Sequence, residues 1–398
     1  MKAKDFLEAM NEIDGKYVHE AIGYRKKSGK YLWMKWGGAA AGIAVAIYAG
    51  SRIFSWTLPG RELPILDNGG IEIGDMGFEG YMAQDISEIV NGNPWKETME
   101  LSALPVYRNP VTYDDYRVAS GDDFGKMREL LQDVAGRFGL DLNEMTVTDD
   151  GPDEKTREII TQKFDGDVPE GYFNPTRLMT ETEGMKIEVN QALTAKISFN
   201  PPITLPEGYG ITAHASYEEV AAAAEYLKNE YDHIIGIDNP QINIYGGNYN
   251  IYHQQSYWME FFDGSGNDVE QIIQYNFYPV AFYQNEEGKL FLARIYQPDL
   301  SQKVGDYPVI TAERAKELLI NGNYYTTVPY EMPGAEYVAK TELIYMTGER
   351  EQYYMPYYHF YIEVPELERE GGFKTYGGYY VPAVEGSYLS YMPVWGEY

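Results

Sequence analysis

From residue 101 onward the apolar residues recur in two periods. At a period near 3.6 they predict helices over Asp122–Phe138, Glu154–Phe164, Ser216–Tyr231 and Thr311–Asn321. Ser216 and Thr311 stand as N-caps of the last two. At a period of two, or as short apolar runs, they predict strands over Met185–Asn190, Leu193–Asn200, Gln241–Tyr245, Ser256–Phe262, Val269–Phe277 and Leu290–Tyr296. Further strands are expected over Val338–Met346, Gln352–Glu363 and Gly378–Val384. Strands outnumber helices and do not alternate strictly with them. The fold class expected is therefore α+β, with mainly antiparallel sheets and a few helices.

Ahead of residue 101 the pattern changes twice. Residues 57–100 have scattered Pro and Gly and weak periodicity, so they read as a stalk or linker with one short helix near Met82–Val90. Residues 36–56, "WGGAAAGIAVAIYAGSRIFSW", are nearly uncharged. As a helix their 21 residues span about 31 Å, enough for a hydrocarbon core of about 30 Å if Arg52 snorkels to the headgroups. Lys35 and Trp36 at one end and Arg52 and Trp56 at the other are the expected interfacial anchors. Residues 101–300 and 301–398 are taken as an extracytoplasmic α+β domain and a C-terminal α+β module.

Charge gives that span a direction. The chain of 398 residues has 61 Asp+Glu against 32 Lys+Arg, a net charge of −29. Residues 1–35 nevertheless carry a net charge of +3, leaving −32 on the remainder. The positive-inside rule then puts residues 1–35 in the cytoplasm and the C-terminus outside the cell membrane. A signal peptide cut near Ala44–Ser51 and a buried helix are the alternatives. The 35 residues ahead of the apolar run argue against the first, and the flanking tryptophans and cations against the second. Gly38, Gly42, Ala46 and Gly50 recur every fourth residue, a small-residue face that suits a span-mediated homodimer. A Gly/Ala-rich span also shows such a face by chance.

In residues 1–35 the apolar Phe6, Leu7, Met10, Ile13, Tyr17 and Val18 fall at helical spacing. This amphipathic helix is too small to hold a core, so its stripe must meet a membrane surface, a second copy or a cytoplasmic partner. Asp5, Glu8, Glu12, Asp14 and Glu20 make it a poor match for anionic lipid. "NEIDGKYVHEA" (Asn11–Ala21), followed by a basic patch, tryptophans and an Ala-rich span, resembles the start of many single-pass proteins of Gram-positive anaerobes. Those are often encoded beside extracytoplasmic-function sigma factors and regarded as anti-sigma or membrane regulatory proteins. The resemblance covers roughly the first 55 residues and implies a sigma factor or another regulator as cytoplasmic partner. The zinc-binding His/Cys pattern of one anti-sigma class is not matched, because His19 stands alone.

Toward the C-terminus a helix with Thr311 as N-cap precedes "VAKTELIYMTG", "EQYYMPYYHFYIEV" and "YYVPAV". A helix followed by two long strands and a short one is similar to PepSY-like and YycI-type regulatory modules, which bring no catalytic residues with them. Sixteen tyrosines lie between Tyr324 and Tyr398. They could stack on sugar rings, but the favoured expectation is that each ring covers sheet while its hydroxyl meets water.

Candidate chemistry narrows the class further. The absence of cysteine removes thiol catalysis, thiolate zinc and disulfides. The five histidines never take the spacing of a helical zinc pair, and no nucleophile elbow, Walker loop or dinucleotide fingerprint occurs. "DGSGN" (Asp263–Asn267) reads as a hairpin turn between two strands. The competing calcium reading, through Asp263, Ser265, Asn267 and Glu270, lacks the full loop. No metal, cofactor or catalytic residue is assigned, and the acidic balance excludes a general nucleic-acid binder. The expectation is a membrane regulator with an outer sensing or binding domain and an inner helix for a partner. The alternative is a surface binding protein for which the span is only an anchor.

Overall fold

Alternation decides the largest sheet. In β5 (Met185–Asn190) Ile187 and Val189 are buried while Lys186 and Glu188 face the other way. β6 (Thr194–Ile203) repeats this with Ala195, Ile197 and Phe199 inside. The computed structural model describes residues 63–68, 81–83, 91–110, 124–168, 172–348 and 351–396. The elements flanking this pair are β3 (Val147–Asp149), β4 (Arg177–Glu181), β7 (Pro240–Tyr249), β8 (Gln255–Asp263), β9 (Val280–Gln284) and β10 (Leu290–Tyr296). All eight strands form one antiparallel sheet in the order β3-β4-β5-β6-β10-β9-β8-β7.

Two helices cover one face of it. α1 (Phe124–Arg137) lies on β4–β6, and α2 (Glu154–Lys163) follows β3 with no buried residue of its own. α3 (Tyr217–Glu230) lies on β7 and β8 and is followed by the short α4 (Asp232–Ile235). Ser216 and Glu219 close α3 with a reciprocal capping box. Leu131 and Val134 of α1 and Ala223 and Leu227 of α3 meet Ile187, Ile197, Phe261 and Ile295 in a core.

The second half is built on β1 (Tyr81–Ala83), β12 (Val338–Tyr345), β14 (Pro356–Glu363) and β15 (Thr375–Pro382), in the order β1-β15-β14-β12. A smaller sheet joins β2 (Ala103–Arg108), β11 (Lys303–Pro308) and β13 (Tyr353–Tyr354), with β2 in the middle. α5 (Asp268–Phe277) and α6 (Ala312–Ile320) pack beside these strands. Both faces of β14 are covered: Tyr358, Phe360 and Ile362 enter one core and Tyr357 another. All strand pairs are antiparallel, so the structure is mixed α+β with mostly antiparallel sheet, as the periodicity predicted.

Three local expectations differ from the structure. Val269–Phe277, expected as a strand, lies in α5, because Asn267 and Glu270 form a capping box at its start. "DGSGN" is therefore a strand-to-helix junction and not a hairpin turn. The same box occupies two of the four side chains of the calcium reading, and Asp263 accepts the amide of Ser265. Within 57–100 the described pieces are not stalk-like. Leu66 is fully buried and bridges Leu389, Tyr81–Ala83 pair with β15, and Trp95 packs edge-on against Tyr358. Residues 84–90, part of the short helix expected there, lie outside the described residues.

The tyrosines of the C-terminal stretch depart furthest from the expected water-facing hydroxyls. Tyr324, Tyr325, Tyr357, Tyr358, Tyr379 and Tyr380 are all buried. Several of the phenols bond backbone instead: Tyr358 donates to the carbonyl of Ile310 at 2.8 Å and Tyr379 to that of Tyr330 at 2.9 Å. Glu62–Tyr398 forms one compact unit. β2 and α5, both before residue 300, share a core with Leu319, Phe360 and Val381.

Candidate functional site

The helices leave the opposite face of the eight-stranded sheet to other uses. Register puts Asn243 opposite Glu260 and Tyr245 opposite Trp258, across β7 and β8. Glu260 in turn faces Ala281, Ala281 faces Arg294, and Tyr283 faces Leu292. Ile244, Met259, Phe261, Phe282, Ala293 and Ile295 alternate with these residues and belong to the helix-covered core. The period of two therefore sends Tyr245, Trp258, Glu260, Tyr283, Arg294 and Tyr296 to one common surface.

One end of that surface is closed. The Asn243 side chain donates to Glu260 at 2.7 Å and accepts from the amide of Gly92 at 2.7 Å. Gly92 comes so close that a Cβ there would lie 2.7 Å from the carbonyl oxygen of Ile242, so only glycine fits. α5 lays Tyr275 edge-on against Phe262 at 5.2 Å. Burial, then the charges of Glu342 and Glu260, push the Tyr275 phenol well above its usual range. Glu342 is itself buried; it pairs with Lys340 at 2.6 Å and accepts from the side chain of Asn91.

Glu260 is the electrostatic centre. Burial pushes its carboxyl up to about 7, against the opposing pull of the Asn243 hydrogen bond. Near neutral pH it is thus shared between an acceptor form and a form that can donate. Burial first, and then this carboxylate, also push Tyr245 upward. Arg294 lies 5.2 Å from the Tyr283 ring centre. Although burial works against its charge, the hydroxyls of Tyr296 and Tyr283 hold it in the charged form.

The open end carries the rings. Trp258 is 38 % exposed, and its indole lies 6.0 Å from the Tyr245 ring at an interplanar angle of 25°. Such a surface offers ring faces, one guanidinium and groups able both to donate and to accept. That equipment suits holding a polar ligand. Among the described residues no cluster of three or more His, Asp or Glu could hold a metal ion. A separate concavity of about 280 Å³, at Glu97, Glu313, Lys316 and Lys340, balances two acids with two lysines.

The residues singled out by sequence are elsewhere. Phe6, Leu7, Met10, Ile13, Tyr17, Val18, Lys35, Trp36, Gly38, Gly42, Ala46, Gly50, Arg52 and Trp56 all lie outside the described residues. Among the described residues no helix is long and apolar enough to cross a membrane. Sequence reasoning missed Tyr245, Trp258, Glu260 and Arg294. The available signal was "SYWMEFF", in which a Trp and a Glu share the face that Tyr257, Met259 and Phe261 do not. No protein-family model matches the chain, and no curated protein matches it.

Proposed function

We propose that this chain is a single-pass membrane protein. Its Glu62–Tyr398 unit is an extracytoplasmic sensing or binding module, and its residues 1–35 form a helix that engages a cytoplasmic regulator such as a sigma factor. The observation that carries this reading is that the compact unit begins at Glu62, just beyond the apolar run ending at Trp56. The positive side of that run is N-terminal and the strongly acidic unit follows it, which supports an inward N-terminus. The outward sheet face around Glu260 gives the unit a surface on which to hold a ligand.

Placement is tested directly, because the chain has no cysteine of its own. In intact cells a membrane-impermeant maleimide should label Ser301→Cys and leave Ser28→Cys unlabelled until the cells are lysed. The reverse pattern overturns the topology. The regulatory half is tested by affinity capture of the full-length protein. Burying a large apolar side chain contributes about 1.5–3 kcal/mol, so Met10→Asp with Ile13→Asp should reduce capture of the cytoplasmic partner to background. Glu12→Ala, on the polar face, should leave capture intact. If no cytoplasmic protein depends on those two residues, the span is an anchor and the module a surface binding protein.

A further inference from the structure

We propose that the surface formed by Tyr245, Trp258, Glu260, Tyr283, Arg294 and Tyr296 binds an oligosaccharide of pyranose rings. The inference rests on the placement of the Glu62–Tyr398 unit outside the membrane, where envelope and environmental polysaccharides are met.

The seating of Trp258 is the first support. The fold does not need an exposed indole on β8, since Met259 and Phe261 already fill the helix-covered core. Yet β7 makes room for this one. Gly246 has φ +108°, and a Cβ there would lie 2.6 Å and 2.7 Å from indole carbons Cε3 and Cζ3. The indole therefore rests against a backbone position that has no side chain, in a conformation favouring glycine. Tyr245 stands beside it with its ring close to parallel. The C–H groups on one side of a pyranose are weakly positive and match the negative face of such rings.

The polar groups supply the second support. A sugar ring carries hydroxyls that each donate and accept, so a saccharide site needs both kinds of partner in fixed positions. Arg294 supplies donors, and the Tyr283 and Tyr296 hydroxyls supply either kind. Glu260 lies close enough to neutrality to do both. Two of these groups are already held: Arg294 lies over the Tyr283 ring, and Asn243 donates to Glu260. Ordering them costs little when a ligand arrives.

Other ligand classes fit less well. The acidic chain disfavours nucleic acid. An extended peptide would add to a strand edge, whereas Trp258, Glu260, Tyr283, Arg294 and Tyr296 lie on interior strands and only Tyr245 lies on the edge strand β7. An amphipathic helix needs a continuous apolar groove, and here a carboxyl and a guanidinium interrupt the rings. A small anion would meet Arg294 with the Glu260 carboxyl only two strands away, across Ala281.

The test uses the full-length protein in nanodiscs, titrated with cellohexaose, xylohexaose, mannohexaose and the hexamer of N-acetylglucosamine. Calorimetry is read alongside tryptophan fluorescence. At least one hexamer should bind. Trp258→Ala should weaken it at least tenfold, Trp258→Tyr should recover part of the loss, and Ile320→Ala on the distant α6 should leave affinity unchanged. A thermal melt of each variant separates lost binding from lost fold. If none of the four binds more tightly than about 1 mM, or if both Trp258 variants bind as the parent does, the saccharide assignment is overturned. The maleimide result keeps the two readings apart. A protein labelled at Ser301→Cys from outside that binds no hexamer loses only this assignment, and one labelled from inside loses the placement on which it rests.

Discussion

A phenol brings an apolar ring and one hydroxyl, and this protein uses both ends. Tyr307 donates to the carbonyl of Pro64, Tyr345 to that of Pro105 and Tyr358 to that of Ile310, each at 2.8 Å. Each bond ties a connecting or neighbouring segment to a core ring and contributes about 0.5–1.5 kcal/mol. The buried carboxyl of Glu260 works in the opposite direction. In the unfolded chain it releases its proton near 4.5, and in the folded protein only near 7. Between those values the native state holds a proton that the unfolded state has lost, so stability falls as pH rises from about 4.5 to about 7 and is flat above. Glu260→Gln keeps the oxygen that accepts from Asn243 and never ionises. Urea unfolding should find parent and variant alike near pH 4, and the variant more stable by about 1–3 kcal/mol at pH 8. His359, held down to about 4 chiefly by burial, loses stability as pH falls from about 6.5, but it is common to both proteins and cancels. An equal offset at both pH values would show that ionisation of Glu260 is not the cause.

Elements were legible in sequence where one signal dominated. Met185–Asn190 and Leu290–Tyr296 were read to the residue, because each is a short β-rich run. Ser216 and Thr311 fixed the starts of α3 and α6 through the hydrogen bonds expected of N-caps. α5 was misread because "VEQIIQYNF" combines β-branched and aromatic residues at spacings that also fit a strand. The cap at Asn267 and Glu270, together with the burial of Ile272 and Phe277 on one helical face, decides for helix. The periodicity marks no strand at β1, β2, β3, β4, β9 or β11. β2 and β11 contain prolines and pair only with distant segments, so nothing local announced them. The sheet-face site was illegible for a related reason. Tyr245, Glu260, Tyr283 and Arg294 come from four strands, and each looks like an ordinary outward residue until register sets them side by side.

At the scale of the molecule, the folded unit is tied together by chain that the sequence marked as linker. Leu66 exchanges backbone hydrogen bonds with the last turn of the chain, donating to Tyr388 at 2.8 Å and accepting from Ser390 at 2.9 Å. The Asn68 side chain donates to the carbonyl of Tyr391 at 2.8 Å. Gly92 docks on Asn243 of the eight-stranded sheet, while the neighbouring Asn93 donates to the carbonyl of Leu343 on β12. That short segment thus bonds strands of both large sheets. Removing residues 62–100 would expose the pockets of Leu66 and Trp95, at about 1.5–3 kcal/mol for each side chain. It would also take away the carbonyl of Pro64 to which the buried Tyr307 hydroxyl donates, so the total loss approaches the 5–15 kcal/mol that holds a typical domain together. The fragment Glu62–Tyr398 should therefore melt cooperatively in circular dichroism, whereas 101–398 should melt far lower or fail to fold. Equal melting temperatures would mean that Leu66, Asn68, Gly92 and Trp95 decorate the unit without holding it, and that the folded module begins at residue 101 after all.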